Sequence, residues 1–515
     1  MPALSSGRAR AVLAAVVLAA LVLAGCSTPG PVKMPTGPVG ADSAPVPALE
    51  SYYGQHLAWA TCHGQFECAD LIVPLDYAKP GKKDITIKVL RYPARDQGKR
   101  IGSLVVNPGG PGGSGVEYAQ APEAVAGPSV LNYFDLVGFD PRGVGESTPV
   151  DCLDDRALDT FLGTDPTPDD RAQEVALQDE GKTMAAGCEA KSGPMLPHMS
   201  TEDAARDMDV LRAALGDARL TYLGKSYGTF LGATYAELFP QRVGRFVLDG
   251  VVPPDLTNAE LSEGQARGFE LATRAYVKDC IDDAGKGGCL LGSTVDEGMQ
   301  WIRDFLKDLD AEPIRSGDPA VPDLNEAWAS LGMAAALYDQ GTWALLTDAL
   351  TKAKAGDGSE LMQLADAYAR RTRGGTYTSN IMEVIYAVNC LDRPDSPDLS
   401  TYRRQAKQFE KVAPTWGEFL AWGSVTCGVW PVKGGPGPHT IAAKGAGPIV
   451  VVGTTRDPAT IYEWSVRLRD QLSDAVLVTY DGDGHTAYRR SNDCVDDAID
   501  AYYVQGTVPK DGLTC

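Results

Sequence analysis

LTYLGKSYGTFLGATYAELFP, residues 220 to 240, sets one serine between two glycines: Gly224-Lys225-Ser226-Tyr227-Gly228. The bare G-x-S-x-G pattern decides little. With 56 glycines in 515 residues, chance alone supplies roughly 0.3 such matches. The context carries more weight. Leu220-Thr221-Tyr222-Leu223 is short and β-prone, as a buried strand is. Thr229 to Leu238 predicts a helix, with Phe230, Thr234 and Leu238 at four-residue spacing and Pro240 to close it. Glycines at 224 and 228 suit a strained turn in which strand and helix backbones approach closely. A serine raised on that turn is a candidate nucleophile. The same residues also describe an ordinary glycine-serine loop, and this stretch alone leaves both readings open.

Working outward, β-prone segments alternate with helical ones. DITIKVLR (84–91) alternates apolar and polar residues, as an edge or outer strand does. SLVV (103–106) runs into NPGGPGGSG, and FDLVGF (134–139) runs into DPRGVGES. A helix is predicted over 201–215, with Met208, Leu211 and Leu215 on one face and Ser200-x-x-Asp203 as its start signal. RFVL (245–248) ends at Asp249. Much later, PIVVV (448–452) precedes GTTRDP and AVLVT (475–479) precedes YDGDGH. Strands alternating with helices predict an α/β fold, a mostly parallel sheet covered on both faces. In such sheets chemistry collects at the carboxyl ends of the strands.

Ser226, Asp457 and His485 each follow such a strand end, in that chain order. Here the chain resembles the α/β-hydrolase fold. A serine hydroxyl needs a base to take its proton, and imidazole has a suitable pKa. A buried carboxylate then fixes the imidazole tautomer and stabilises the imidazolium. Of five histidines, His56 and His63 lie in the N-terminal segment, His198 before a helix and His439 in a Pro/Gly loop; His485 follows a late strand. For the acid, Asp457 in its TRDP turn is the first choice, with a helix N-cap as its structural alternative. Asp249, after the earlier strand, is the second choice, and Asp481 and Asp483 read as turn formers.

Asn107-Pro108-Gly109-Gly110-Pro111-Gly112-Gly113 follows an early strand, where this fold takes a backbone donor for the oxyanion hole. Glycines let the backbone approach a substrate oxygen, and prolines stiffen the loop. The expected donors are the N–H groups of Gly110 and Tyr227. A phosphate-binding loop is the rival reading, but no G-K-[ST] follows.

The first 25 residues read as an export leader: Arg8 and Arg10, then the apolar run AVLAAVVLAALVLA, then Leu23-Ala24-Gly25-Cys26. That ending resembles the bacterial lipobox, which implies cleavage before Cys26 and lipidation of it. A Pro/Gly/Ser-rich tether (26–48) follows. The leader carries two arginines and no acid, so its removal takes the formal charge from −21 to −23. Such a surface disfavours nucleic acid and anionic lipid headgroups as partners, leaving the lipid anchor as the membrane contact. With Cys26 set aside, ten cysteines remain, an even number that reads as disulfides in an exported chain. Sequence leaves their pairing open. Neighbour with neighbour is the simplest: Cys62–Cys68, Cys152–Cys188, Cys280–Cys289, Cys390–Cys427 and Cys494–Cys515. No C-x-x-C and no histidine at ligand spacing point to a metal, and no cofactor is expected.

NPGGPGGSG, DLVGFDPRGVGES, GKSYGTFLGATYAELFP, RFVLDGV, AVNCLD, GTTRDPAT and GDGHT together resemble the exported tripeptidyl aminopeptidase branch of the prolyl aminopeptidase family, over roughly residues 50 to 515. Where the wider family has histidine before Gly-Gly-Pro-Gly, this chain has Pro108. The resemblance implies a serine peptidase that releases short peptides from free N-termini, and the lipobox reading places it outside the cell, held at its membrane. The expected organisation is a hydrolase core in two parts, 49–255 and 448–515, interrupted by a helical cap insertion at 256–447. The cap contains VDEGMQWIRDFLKDL, WASLGMAAALYDQGTWALLTDALTKA and ELMQLADAYARR, each with helix-spaced apolar residues. An aminopeptidase also needs anions for the substrate ammonium, and Glu383 and Asp392 in MEVIYAVNCLD are candidates, with structural acids as the alternative. A carboxylesterase or lipase would use the same triad, and a binding lipoprotein on a dead hydrolase scaffold is the reading from a different class.

Overall fold

Neighbouring residues of the central strands pack into two different cores. Leu104, Val106, Leu223, Val247, Val450 and Val452 belong to one apolar cluster, while Val105, Tyr222, Leu248 and Val451 belong to another on the opposite face. Side chains alternate sides along a strand, so a sheet buried on both faces needs apolar residues at every position. The short VVV-like runs of the sequence are the result.

In the computed structural model, residues 44–283, 288–435 and 437–515 are described. The leader, Cys26 and residues 26–43 of the tether lie outside them. The strands are β1 (Ala60–Cys62), β2 (Phe66–Pro74), β3 (Asp84–Tyr92), β4 (Gly102–Asn107), β5 (Phe134–Phe139), β6 (Leu220–Lys225), β7 (Val243–Asp249), β8 (Ile314–Arg315), β9 (Asp323–Leu324), β10 (Ile449–Arg456), β11 (Ala475–Asp483) and β12 (Leu513–Thr514). Ten of them form one sheet in the order β1-β2-β3-β5-β4-β6-β7-β10-β11-β12. The first pairings, up to β3 with β5, are antiparallel, and the rest are parallel. Thus β3 is an outer strand rather than the edge, since β2 and β1 lie outside it. This large, mostly parallel sheet with helices on both faces is the α/β-hydrolase architecture.

One face is covered by the helices Thr201–Ala214, Tyr227–Leu238 and Tyr462–Gln471, the other by Pro128–Tyr133 and Asp493–Gln505. The chain then leaves the sheet twice. Between β5 and β6 it forms the helices Asp155–Leu162 and Arg171–Ser192, the second opened by a capping box of Asp170 and Gln173. Between β7 and β10 it forms a long helical excursion with its own apolar core, including Trp328, Met333, Leu337, Leu350, Leu361 and Trp416. The helix Val295–Ala311 shows why these segments fold so: Met299, Ile302, Leu306 and Leu309 are buried at three- and four-residue spacing behind a Thr294–Glu297 capping box. Trp416 donates its indole N–H to the Thr273 hydroxyl at 2.8 Å, which makes burial of that ring tolerable. Arg371 ties the two excursions together, bonding Asp159 of the first and Asp318 and Asp366 of the second.

The ten described cysteines pair as Cys62–Cys68, Cys152–Cys188, Cys280–Cys289, Cys390–Cys427 and Cys494–Cys515. No helix among the described residues is long and apolar enough to cross a membrane.

Candidate active site

β6 ends at Lys225, and the chain turns at once into the helix Tyr227–Leu238. That turn puts Ser226 at φ 56° and ψ −127°, a backbone conformation that a β-carbon makes costly and that recurs at nucleophile elbows. The helix therefore begins two residues earlier than its apolar spacing predicts. The elbow is braced from both sides. Ser226 donates its N–H to the Asp249 carbonyl at 3.0 Å, and its own carbonyl accepts from the N–H and hydroxyl of Thr229 at 2.8 and 2.6 Å. The Thr229 hydroxyl in turn accepts from Val252 N–H at 2.9 Å. A β-carbon at Gly224 would stand 2.3 Å from the Gly228 carbonyl oxygen, so the backbones meet only because glycine is there.

The loop after β4 lies directly against this elbow. A β-carbon on Gly109, whose φ is 97°, would sit 2.8 Å from Ser226 Cβ and 3.0 Å from Tyr227 N. The side-chain oxygen of buried Asn107 accepts from Gly109 N–H at 2.9 Å, which leaves Gly110 as the next amide of the loop. Tyr227 opens its helix, where backbone N–H groups have no carbonyl of their own helix to bond and the helix dipole is positive. Asp140 ties this loop to the one after β5, accepting from the Ser114 hydroxyl at 2.6 Å and from the N–H groups of Val116 and Glu146 at 3.1 and 3.2 Å. In the same DPRGVGES loop, Arg142 is enclosed and grips Asp207 through two bonds of 2.7 Å. Its part is to anchor the loop.

Two strands beyond β6, the turn after β10 carries Asp457; one strand further, the turn after β11 carries His485. Both are buried. His485 Nδ1 stands 2.9 and 3.0 Å from the two carboxylate oxygens of Asp457. The carboxylate also accepts from the N–H groups of Ala459, Thr460 and Thr486 at 2.9, 2.8 and 3.2 Å, and from the Thr460 hydroxyl at 2.9 Å. Bonds of this kind fix the carboxylate in place. With Nδ1 occupied by Asp457, Nε2 is the nitrogen available as a base.

Asp249 sits elsewhere. Its carboxylate accepts from Ala487 N–H at 2.9 Å and Tyr488 N–H at 2.9 Å, the two residues after Thr486, and it faces Lys225 Nζ at 3.9 Å. Asp481 and Asp483 both pair with Arg456 at 2.9 and 2.8 Å. Glu383 accepts from the N–H groups of Cys152 and Leu153 at 2.9 and 2.8 Å, and burial raises its carboxyl. It borders a groove of about 1300 Å³ that also takes in Ser114, Asp140, Gly145 and Asn380, beside the glycine loop rather than over His485. Asp392 is enclosed. It accepts from Thr201 N–H at 3.0 Å and from the Thr201 hydroxyl at 2.6 Å, and that hydroxyl meets Tyr227 Oη at 2.7 Å.

Sequence reasoning passed over Tyr338, which stands against His485, and Thr460, which bonds the Asp457 carboxylate. Thr460 sits three residues after Asp457, within reach of a turn; Tyr338 has no local signal at all. Among the described residues, two groups gather three metal-ligating side chains: Cys62, His63 and Cys68, whose thiols are joined in a disulfide, and Asp165, Asp310 and Glu326. Neither adjoins Ser226.

Relatives among known proteins include the following. Over 487 residues the chain is 38% identical to the serine protease Hip1 of Mycobacterium tuberculosis, covering 90% of this chain and 92% of that one. It is 38% identical over 515 residues to carboxylesterase B of the same species, covering 97% and 95%. It is 34% identical over 461 residues to a tripeptidyl aminopeptidase of Streptomyces lividans, covering 87% and 83%. Residues 413–515 match the family model described as TAP-like protein.

Proposed function

The chain belongs to the α/β-hydrolase family of serine hydrolases that holds Hip1 and the tripeptidyl aminopeptidases, and on that footing we propose that it is an exported, lipid-anchored aminopeptidase releasing tripeptides from free N-termini. The observation that carries the catalytic part is the His485–Asp457 pair at the strand ends of the same sheet whose β6 leads into a serine held at positive φ. In this reading His485 Nε2 takes the Ser226 proton as Oγ attacks the scissile carbonyl. Asp457 holds the imidazolium that forms. The N–H groups of Gly110 and Tyr227 receive the oxyanion, already oriented by the Asn107 bond and the helix start. The imidazolium then protonates the leaving amine, an acyl-enzyme remains on Ser226, and water activated by the same imidazole releases the N-terminal fragment.

Two further features support the reading. The helical stretch between β7 and β10 reaches the histidine through Tyr338, as a cap restricting access to chain ends would. Five disulfides suit an oxidising compartment, and Leu23-Ala24-Gly25-Cys26 supplies the anchor. The relative named carboxylesterase B favours a second reading, an esterase with the same triad.

The experiment that separates them is a panel of free and N-acetylated di-, tri- and tetrapeptide amides run beside simple acyl esters. Preference for free tripeptide amides supports the aminopeptidase. Equal rates on free and acetylated peptides, with faster ester turnover, would assign the esterase.

A further inference from the structure

Immediately before the nucleophile stands a charged residue that the serine chemistry does not use. Lys225 closes β6 with 5% of its surface exposed. A buried ammonium is costly unless it is paired and hydrogen-bonded, so its surroundings should explain it. Its Nζ donates to the Tyr488 carbonyl at 2.6 Å and lies 3.9 Å from Asp249 Oδ2. Asp249, fully buried at the end of β7, receives the N–H groups of Ala487 and Tyr488, while its carbonyl receives Ser226 N–H. Tyr488 is fixed at its other end, where its hydroxyl donates to Asp500 at 2.6 Å and accepts from Gly127 N–H at 2.8 Å. The side-chain bonds of Lys225 and Asp249 thus join the ends of β6 and β7, where the serine elbow begins and is braced, to the segment two and three residues after His485.

We propose that Lys225 and Asp249 are a positioning pair, which clamps the 486–488 turn to the ends of β6 and β7 and so fixes where the His485 imidazole stands relative to Ser226. This rests on the assignment of Ser226 and His485 as nucleophile and base. Neither member of the pair touches substrate. A buried ion pair serving stability alone could stand anywhere in the core. This one takes both of its strands from the nucleophile side and both of its backbone partners from the histidine side.

The charges around the pair are few. Asp249 faces Lys225 from β7, and Arg489, Arg490 and Asp496 face it from the segment that follows His485. Tyr118 faces Asp249 from the helix Gly115–Ala119, Tyr503 from the helix Asp493–Gln505 and His485 from the turn after β11. Burial pushes the Lys225 ammonium down to about 8, against the pull of Asp249. Burial raises the Asp249 carboxyl, against the pull of Lys225 and the two N–H groups. Below pH 8 the lysine is therefore charged, and removing it takes away the charge that faces the Asp249 carboxyl.

The test uses Lys225→Met and the double variant Lys225→Met/Asp249→Asn, in the full chain, with kcat, KM and the pH dependence of kcat/KM recorded below pH 8. Melting temperature and free-thiol count establish folding. Lys225→Met should lower kcat about 10- to 100-fold with KM changed by less than about twofold, as small misplacements of a catalytic group do. Its acid limb should move from the wild-type place, because the charge facing the Asp249 carboxyl beside the imidazole is gone. The double variant should return the limb to its wild-type place while kcat stays low, since Tyr488 still lacks its donor. A folded Lys225→Met with kcat within about twofold of wild type and an unmoved limb would overturn the proposal. If the single variant does not fold, wild-type kcat in the double variant overturns it equally. Ser226→Ala run alongside separates the two readings: activity surviving there removes the triad, whereas a dead Ser226→Ala beside an indifferent Lys225→Met removes only the positioning role.

Discussion

The ring of Tyr338 meets the imidazole of His485 edge to face, centroids 5.0 Å apart and planes at 84°, and the Tyr338 carbonyl accepts from His485 N–H at 2.9 Å. The next residue, Asp339, pairs with Arg490 at 2.7 Å, and Arg490 reaches back to the His485 carbonyl at 3.2 Å. The helical excursion is thus built into the seat of the histidine. Tyr338→Ala should lower kcat about 10-fold or more, because the imidazole loses one wall and its freedom of rotation rises. Tyr338→Phe keeps the ring and gives up only the hydroxyl on the side of Tyr368, so its kcat should stay close to wild type. Equal kcat in the Ala and Phe variants would show that the wall does not matter.

Ser226→Ala should keep the fold and all five disulfides while turnover drops by about 10⁴ or more. A fluorophosphonate probe checks the same point by mass, labelling wild type and sparing the variant. Retention of even a tenth of the activity removes Ser226 from the nucleophile's place.

The two buried aspartates at neighbouring strand ends should separate cleanly. Asp457→Asn changes the partner of His485 Nδ1, so the rate should fall about 10³- to 10⁴-fold. Asp249→Asn keeps an oxygen for Ala487 and Tyr488 N–H, and its loss of rate should be at least about 10-fold smaller. Reversal of that order would move the acid to the end of β7.

What the sequence showed of this site is what is local in it. The strands at the sheet centre are buried on both faces, so Leu104-Val105-Val106 and Val450-Val451-Val452 stand out as short apolar runs, and the residues just after them are site candidates by position. The disulfides also close short spans, 6 to 37 residues, so pairing neighbours needed no knowledge of the fold. Contacts made across the fold had no such signature. Tyr338 reaches His485 across 147 positions of chain, and Asp392 reaches Thr201 across 191. The helices Asp155–Leu162 and Arg171–Ser192 were passed over for a related reason. The long one buries few large apolar residues, chiefly Met184 and Cys188, so its apolar period is faint.

Asp392 gives a pH dependence whose sign can be worked out. Burial raises its carboxyl to about 6, against the pull of the Thr201 bonds and Arg393. Its unfolded value is about 3.9, so between roughly pH 4 and 6 the folded state binds more protons than the unfolded one, and stability falls as pH rises. The contribution is whole below about pH 4 and is lost as pH passes through about 6, amounting to at most about 3 kcal/mol. Asp392→Asn lacks it. Urea unfolding of both proteins at several pH values should therefore show the variant gaining on wild type between pH 4 and 7. Parallel curves would mean that another group carries the titration.

The ammonium of the substrate is the remaining test, and the two candidate acids are placed differently for it. Asp392 is enclosed, with each of its oxygens bonded to Thr201. Glu383 binds two backbone N–H groups through one oxygen, Oε1, and borders the open groove. It also stands one residue from Val384, which with Ile381 packs against Gly112 of the glycine loop. An ammonium leaving water needs an anion in reach, and an acetylated N-terminus would leave that anion unpaired at a cost of about 2–5 kcal/mol, roughly 30-fold to several-thousand-fold in kcat/KM. Free tripeptide amides should exceed their N-acetyl counterparts by a factor in that range. Glu383→Gln should narrow the gap, chiefly by slowing the free peptides, and Asp392→Asn should leave it nearly as wide. A gap that survives Glu383→Gln intact would place the ammonium against a different carboxylate; no gap in the wild type would remove the aminopeptidase reading altogether.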